Sequence, residues 1–227
     1  MSLIDLLPGF YKNREGKWTF MTLPGFLIPV RDQKQRIQGF QIRVDDKYLE
    51  LKEDIKKYIW FSSVSKNGGC SSGAPVHAAL PLNREIKPET KLWITEGPLK
   101  ADIASAYMGL PFLGVAGVSL YRQAAQEAKK MQVNKAVIAY DADLQKNPHV
   151  KDAEKELVKE LMARGIKATP VTWAEVLGKG IDDLVTGIIS EEFPLPKTTL
   201  ERLITVNAGL QKEIQIDISI KVKRAEN

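Results

Sequence analysis

The chain is poor in residues that build covalent or soft-metal frameworks. Cys70 is its only cysteine, and His77 and His149 are its only histidines. An internal disulfide is therefore excluded, and a structural zinc site has too few nitrogen and sulfur ligands. No apolar run approaches the roughly 18 to 20 residues of a membrane-spanning helix. The opening segment, MSLIDLLPGF, carries no basic leader and stops at Pro8 and Gly9, so it does not read as a signal peptide. A cytoplasmic location is the expectation. Internal repeats are missing, and low complexity is confined to the Gly/Ser-rich loop KNGGCSSGAP.

What is present suits a folded protein. Hydrophobic residues make up 44% of 227, enough for a packed core in one large unit or two compact ones. The net charge is +5 although acidic clusters punctuate the second half, so the positive excess lies elsewhere. Much of it falls in the first third, at Lys12, Arg14, Lys17, Arg31, Lys34, Arg36, Arg43, Lys47, Lys56, Lys57 and Lys66. Such a surface suits a polyanion; an ordinary solvated face is the other reading.

The pattern changes along the chain. Residues 1–88 contain FLIPV and RIQGFQIRV around the polar turn DQKQ, which predicts a β-hairpin, and then the strand KYIWFSS. From residue 91 strands alternate with helices: KLWITE (91–96), a helix from Pro98 to about Met108, FLGVA (112–116), a helix from Ser119 to about Met131, and KAVIAYD (135–141). Asn147 followed by Pro148 predicts the start of another helix, with Val150, Ala153, Leu157, Val158 and Leu161 as its buried stripe and Gly165 as its stop. KATPVTW (167–173) is a fourth strand. This alternation implies a parallel sheet with right-handed crossovers. Beyond Pro194 and Pro196 a short helix is expected near 199–208, and EIQIDISIKVK reads as an edge strand with one face buried. The expected division is 1–88, 89–190 and 191–227.

The acidic residues sit where strands should end: Glu96, the pair Asp141 and Asp143, and the pair Asp182 and Asp183. The carboxyl ends of parallel strands line one crevice, so these groups can converge. Clustered carboxylates repel one another, and a hard divalent cation relieves that repulsion. Metal-dependent phosphoryl or nucleotidyl transfer is therefore the expected chemistry.

A glutamate–glycine pair before a helix, a DxD at the next-but-one strand and a last acidic pair before an apolar helix together resemble a Toprim domain. Upstream, FLIPVRDQKQRIQGFQIRV followed by KYIWFSS resembles the hairpin "FPIRD…GRVIGFGGR" and the "PKYL" segment of the catalytic core of DnaG-type bacterial primases. The likeness covers roughly residues 20 to 190 and rests on motif order. It implies an α/β Toprim (Rossmann-like) parallel sheet with helices on both faces, preceded by a smaller mixed α/β basic subdomain.

By the same resemblance, Glu96, Asp141 and Asp143 are catalytic, and with Asp182 and Asp183 they hold metal. The expected cofactor is Mg²⁺ or Mn²⁺, with two ions. Primases show Asp-Pro-Asp where this chain has Gly-Ile-Asp-Asp, so which of Asp182 and Asp183 faces the crevice stays open; helix N-capping is the alternative for each. Arg31, Arg43, Lys57 and Lys66 are candidate template or triphosphate contacts, with Lys179 a weaker one. Gly117 and Ser119 form a candidate phosphate-binding helix start, or Ser119 is simply an N-cap.

One departure matters. The family carries an aspartate four residues after the glutamate, where this chain has Lys100. Lys100 is a candidate catalytic residue that pairs with a triphosphate or lowers the repulsion among the carboxylates; a helix-surface lysine is the other reading. The zinc-binding and helicase-docking modules of full primases are not represented. That implies a minimal relative from a plasmid or mobile element, or a piece of a larger replication protein.

The expected function is primer synthesis on single-stranded DNA from nucleoside triphosphates, with a replicative helicase as a candidate partner and no membrane. Two alternatives remain open at this point. One is a Toprim nuclease using the same carboxylates to activate water. The other is a non-catalytic DNA-binding accessory protein of replication.

Overall fold

The structure is a computed structural model and describes residues 3–52, 54–82, 85–143, 147–190 and 214–216. Contacts divide the chain into two compact units, Met1–His77 and Ala78–Asn227.

In the first unit, β1 (Phe10–Lys12) and β2 (Trp18–Phe20) form a small antiparallel hairpin. Its turn closes on Asn13, whose side-chain oxygen accepts the Glu15 and Lys17 amides at 3.0 and 2.9 Å. A three-stranded antiparallel sheet follows, from β3 (Gly25–Arg31), β4 (Ile37–Val44) and β5 (Tyr58–Trp60). The hairpin expected around DQKQ is present. Asp32 ties its turn by accepting the Lys34 and Arg36 amides, each at 2.9 Å. Helix α1 (Asp46–Leu51) links β4 to β5. Ile42, Val44 and Phe61 form the core of the unit, with Phe10 and Phe40 edge-on to Phe61.

The second unit is built on a six-stranded sheet in the order β11-β10-β9-β7-β8-β6. Its strands are β6 (His77–Ala79), β7 (Lys91–Glu96), β8 (Phe112–Val115), β9 (Lys135–Ile138), β10 (Lys167–Trp173) and β11 (Ile214–Ile216). The pairs β7/β8, β7/β9, β9/β10 and β10/β11 are all parallel. The helices are α2 (Pro98–Met108), α3 (Tyr121–Lys130), α4 (Pro148–Ala163) and α5 (Ile181–Ile189). α2 packs against α5 and α3 against α4, so the sheet is covered on both faces. Leu92, Trp93 and Ile94 of β7 are fully buried, as a central strand between two helical layers requires. Trp93 stacks on Phe112 of β8 with ring centres 5.7 Å apart. On the α2/α5 face, Ala101, Ala104 and Met108 meet Ile181, Leu184, Val185 and Ile188.

Some expectations need correction. β9 ends at Ile138 rather than 141; Ala139 still donates to the Ile94 carbonyl at 2.8 Å, but the ladder stops there. α3 begins at Tyr121 after a 3₁₀ turn at Val118–Leu120, and no side chain caps either element, so Ser119 is not an N-cap. In contrast, Asn147 does cap α4, accepting the His149 amide at 3.1 Å. The stripe of α4 includes a charge that periodicity had not suggested, the buried Glu154. The helix expected at 199–208 lies outside the described residues. So does most of the last strand, of which 214–216 pairs with β10. No helix among the described residues is long and apolar enough to cross a membrane.

Candidate active site

The topology of the second unit creates a crevice before any side chain is considered. From β7 the chain crosses to β8 on one side, and from β9 it crosses to β10 on the other. The crossovers therefore diverge between the adjacent strands β7 and β9, which leaves their carboxyl ends open. Glu96 is the last residue of β7, and Asp141 follows β9 by three residues.

Each acidic group is set by local chemistry. After Glu96 the chain must reverse into α2. Gly97 makes that turn at φ +87, and Pro98 takes the first helical position, where its missing N–H costs nothing. The turn is clamped by β8: the Gly97 amide donates to the Val115 carbonyl at 2.6 Å. A β-carbon on Gly114 would stand 2.7 Å from the Gly97 carbonyl oxygen, so glycine is required there. Beyond β9, the Ala142 amide donates to the Lys179 carbonyl at 2.8 Å, tying the DxD segment to the loop before α5. Trp173 holds that loop from below by donating Nε1 to the Gly178 carbonyl at 2.9 Å.

Two lysines enter this cluster. Lys100, in the first turn of α2, donates Nζ to Oδ1 of the buried Asp141. Lys179 Nζ lies 2.8 Å from Oδ2 of Asp143 and 3.8 Å from Oδ2 of Asp141. Glu96 faces the same charges. Burial and the neighbouring Asp141 push its carboxyl up to about 7, against the opposing pull of Lys100 and Lys179. The bond to Asp143 in turn holds the Lys179 ammonium above its ordinary value.

The final aspartates divide the work. Oδ2 of Asp183 accepts the amides of Lys179 and Gly180, both at 3.0 Å, so that carboxylate is committed to the start of α5. Asp182 points elsewhere. Its Oδ1 is buried without a hydrogen-bond partner among the described residues, and burial, then the charge of Asp183, raises its carboxyl above the ordinary value against the pull of Lys100. Gly180 makes room for both neighbours: a β-carbon there would lie 2.1 Å from Asp182 Oδ1 and 3.0 Å from Cδ of Lys100.

Glu96, Lys100, Asp141, Asp143, Lys179 and Asp182 thus form one electrostatic cluster. Among the described residues, no three histidine, cysteine or acidic side chains are gathered closely enough to close a coordination sphere as they stand. Asp141 and Asp143 are turned onto lysines instead.

The remaining candidates are placed individually. Gly117 and Ser119 belong to the turn before α3; Ser119 is exposed, and Gly117 has extended backbone with open space where a β-carbon would be. In the first unit, Arg43 is already engaged, donating to both Asp46 oxygens at 2.8 and 2.9 Å and lying 5.8 Å from the Tyr58 ring centre. Lys57 is exposed just before β5, and Lys66 is exposed with Nζ 5.8 Å from the Tyr11 ring centre. Arg31 is half-buried at the end of β3, its amide donating to Nδ1 of His77 at 3.0 Å. Sequence reasoning gave Lys179 little weight and missed Gly180. The signal for both was the GKG step directly before Ile181-Asp182-Asp183.

Against known proteins, a family model described as "Domain of unknown function (DUF3854)" matches residues 85–190. No curated protein sequence gives a significant match. The fold is similar to solved catalytic cores of DnaG-type primases. The zinc-binding and RNA polymerase domains of the Aquifex aeolicus primase align with 86% of this chain at 22% identity and a TM-score of 0.60. A DNA primase domain from Pseudomonas aeruginosa aligns with 79% at 15% identity and 0.57. A DnaG primase catalytic domain bound to single-stranded DNA aligns with 86% at 19% identity and 0.56. The aligned part spans 43%, 52% and 57% of those three chains. The chain therefore has a mixed α/β fold of primase catalytic-core type.

Proposed function

We propose that this chain is a primase-like nucleotidyltransferase core that joins nucleotides on a single-stranded DNA template. The observation that carries the reading is the meeting of Glu96 and Asp141 at the switch-point crevice of a fold with that shape. In this reading residues 89–190 hold the chemistry, and the basic residues of 1–88 handle template.

The cluster suits hard oxygen coordination, but its charge balance limits how much. Glu96, Asp141, Asp143 and Asp182 face Lys100 and Lys179, so four carboxylates oppose two ammonium groups. As they stand the described carboxylates do not close around an ion; were Lys100 and Lys179 drawn off the aspartates, Glu96, Asp141 and Asp182 are the residues that would hold one Mg²⁺ or Mn²⁺. A bound ion of this kind would stabilise negative charge on the reacting phosphate. Lys179 is the more exposed lysine and the one free to swing from Asp143 to a triphosphate.

A nuclease would use the same carboxylates on water; the exposed Lys57 and Lys66 of the first unit favour template handling instead. The test supplies single-stranded DNA, nucleoside triphosphates and Mg²⁺ or Mn²⁺, and resolves products by length. New short oligonucleotides support the proposal. Shortened template would establish the nuclease, and unchanged DNA that is nevertheless bound would leave an accessory role.

A further inference from the structure

We infer that one cross-strand row of the first unit's sheet, Phe26–Arg43–Tyr58, is a base-stacking platform for single-stranded nucleic acid. The inference deepens the proposed function: it rests on that reading for the partner and names the side chains that hold its bases. Three observations lead there.

First, the register lines up the three side chains. Phe26 of β3 pairs with Arg43 of β4, and Arg43 pairs with Tyr58 of β5. Residues directly opposite one another in neighbouring strands project from the same face, so the two rings flank the guanidinium across strands about 10 Å apart. Second, this row is the open end of its face. Two residues further along the same strands, Ile28 and Gln41 are 3% and 4% exposed. Beyond them the segment through Ser72 lies over the sheet, where a β-carbon on Gly39 would stand 3.8 Å from that of Ser72. Phe26 and Tyr58, in contrast, are 52% and 40% exposed. Third, the Tyr58 ring is held from one side. Arg43 Cζ lies 5.8 Å from its centre, and the guanidinium is fixed in turn by both Asp46 oxygens, at 2.8 and 2.9 Å, and by the Val44 carbonyl. The Arg43 charge is answered by Asp46, so the row presents flat π surface on a rigid strand pair.

That chemistry selects the occupant. A nucleobase offers a flat π-face to each ring and brings a phosphate with it. Lys56 and Lys57, directly before Tyr58, are exposed to meet that phosphate. Residues 1–77 carry twelve lysines and arginines against eight aspartates and glutamates, so the unit as a whole attracts a polyanion. Stacking of this kind tolerates any base, since every base has a π-face, but it requires that a base be present.

The test removes the bases and keeps the phosphates. Fluorescence anisotropy over a salt series measures the affinity of the full-length chain for oligothymidylate and for an abasic strand of the same length. The natural chain is expected to hold oligothymidylate about tenfold or more tighter than the abasic strand. Phe26→Ala and Tyr58→Ala are each expected to lose about fivefold or more on oligothymidylate, to keep their affinity for the abasic strand, and to leave the salt slope unchanged. Phe26→Tyr and Tyr58→Phe keep a ring and are expected to bind like the natural chain. Equal binding of the two strands by the natural chain, or alanine losses of the same size on both, would overturn the inference. Failure to bind either strand would overturn it too, and would leave the row as a docking face for another protein. Circular dichroism confirms folding; should an alanine variant not fold, Phe26→Leu or Tyr58→Leu is read in its place. Base preference is independent of catalysis. A chain that makes oligonucleotides but binds both strands alike refutes this inference alone, whereas one that shows the preference yet makes no product refutes the proposed reaction alone.

Discussion

Glu96 is the residue whose environment is most at odds with its charge. Burial and Asp141 raise its carboxyl from 4.5 to about 7, so the folded chain holds that proton more tightly than the unfolded one. The sign follows from linkage: this group favours the fold below pH 4.5, and its contribution is lost as pH rises toward and through 7. With partial solvent access the loss amounts to roughly 2 kcal/mol. In metal-free buffer, Glu96→Gln should therefore match the natural chain near pH 4.5 and exceed its stability by about that amount at pH 8. Urea denaturation at the two pH values checks this, and a gap that does not grow with pH would contradict it. The sequence pointed to Glu96, Asp141 and Asp182 because each closes or follows a strand. It could not show that Lys100 would turn inward, since a lysine in a first helical turn usually faces water.

At the scale of elements, the start of α5 separates the two final aspartates. Asp183 holds the Lys179 and Gly180 amides, and Asp182 holds none that would explain its buried Oδ1. Asp183→Ala should cost about 1 kcal/mol of stability, the usual worth of such a cap, and leave the affinity for Mn²⁺ nearly unchanged. Asp182→Ala should weaken Mn²⁺ binding by about tenfold or more. Thermal melts and Mn²⁺ titration of the two variants side by side test the division; equal losses of Mn²⁺ affinity would refute it. The larger elements were legible. KLWITE and KATPVTW are bounded as expected because each is a run of apolar and β-branched residues closed by a turn or helix signal. Among the elements that escaped, β1, β2 and β6 have three residues each, too few to display a period, and α1 has six with none of them buried, so it carries no apolar stripe. β9 was overextended because Ala139 and Tyr140 stay buried after they leave the ladder, so burial alone kept the apolar pattern going.

For the whole molecule, the contact division falls between His77 and Ala78, whereas the composition change and Pro88 pointed to a boundary near 88. The segment between contains β6, which joins the sheet of the second unit and carries no periodic signal of its own. The net charge of +5 with acidic groups concentrated in one crevice leaves the first unit as the basic one. If that unit holds template, Lys57 and Lys66 are the exposed contributors, and Arg43 is spent on Asp46. Replacing Arg31, Lys57 and Lys66 together with alanine should reduce the salt dependence of single-stranded DNA binding by about 2 in the slope of log K against log salt. Fluorescence anisotropy over a salt series measures that slope; an unchanged value would remove the first unit from template binding.

The claim on which the rest depends is that the crevice at Glu96 and Asp141 performs nucleotidyl transfer. Incorporation of labelled nucleotide on single-stranded DNA, compared between the natural chain and Asp141→Asn, tests it most directly. The account predicts short products from the natural chain, a loss of about 100-fold or more in the variant, and template affinity preserved within about threefold in both. Equal incorporation by the two chains, or none by the natural chain with either Mg²⁺ or Mn²⁺, would contradict it.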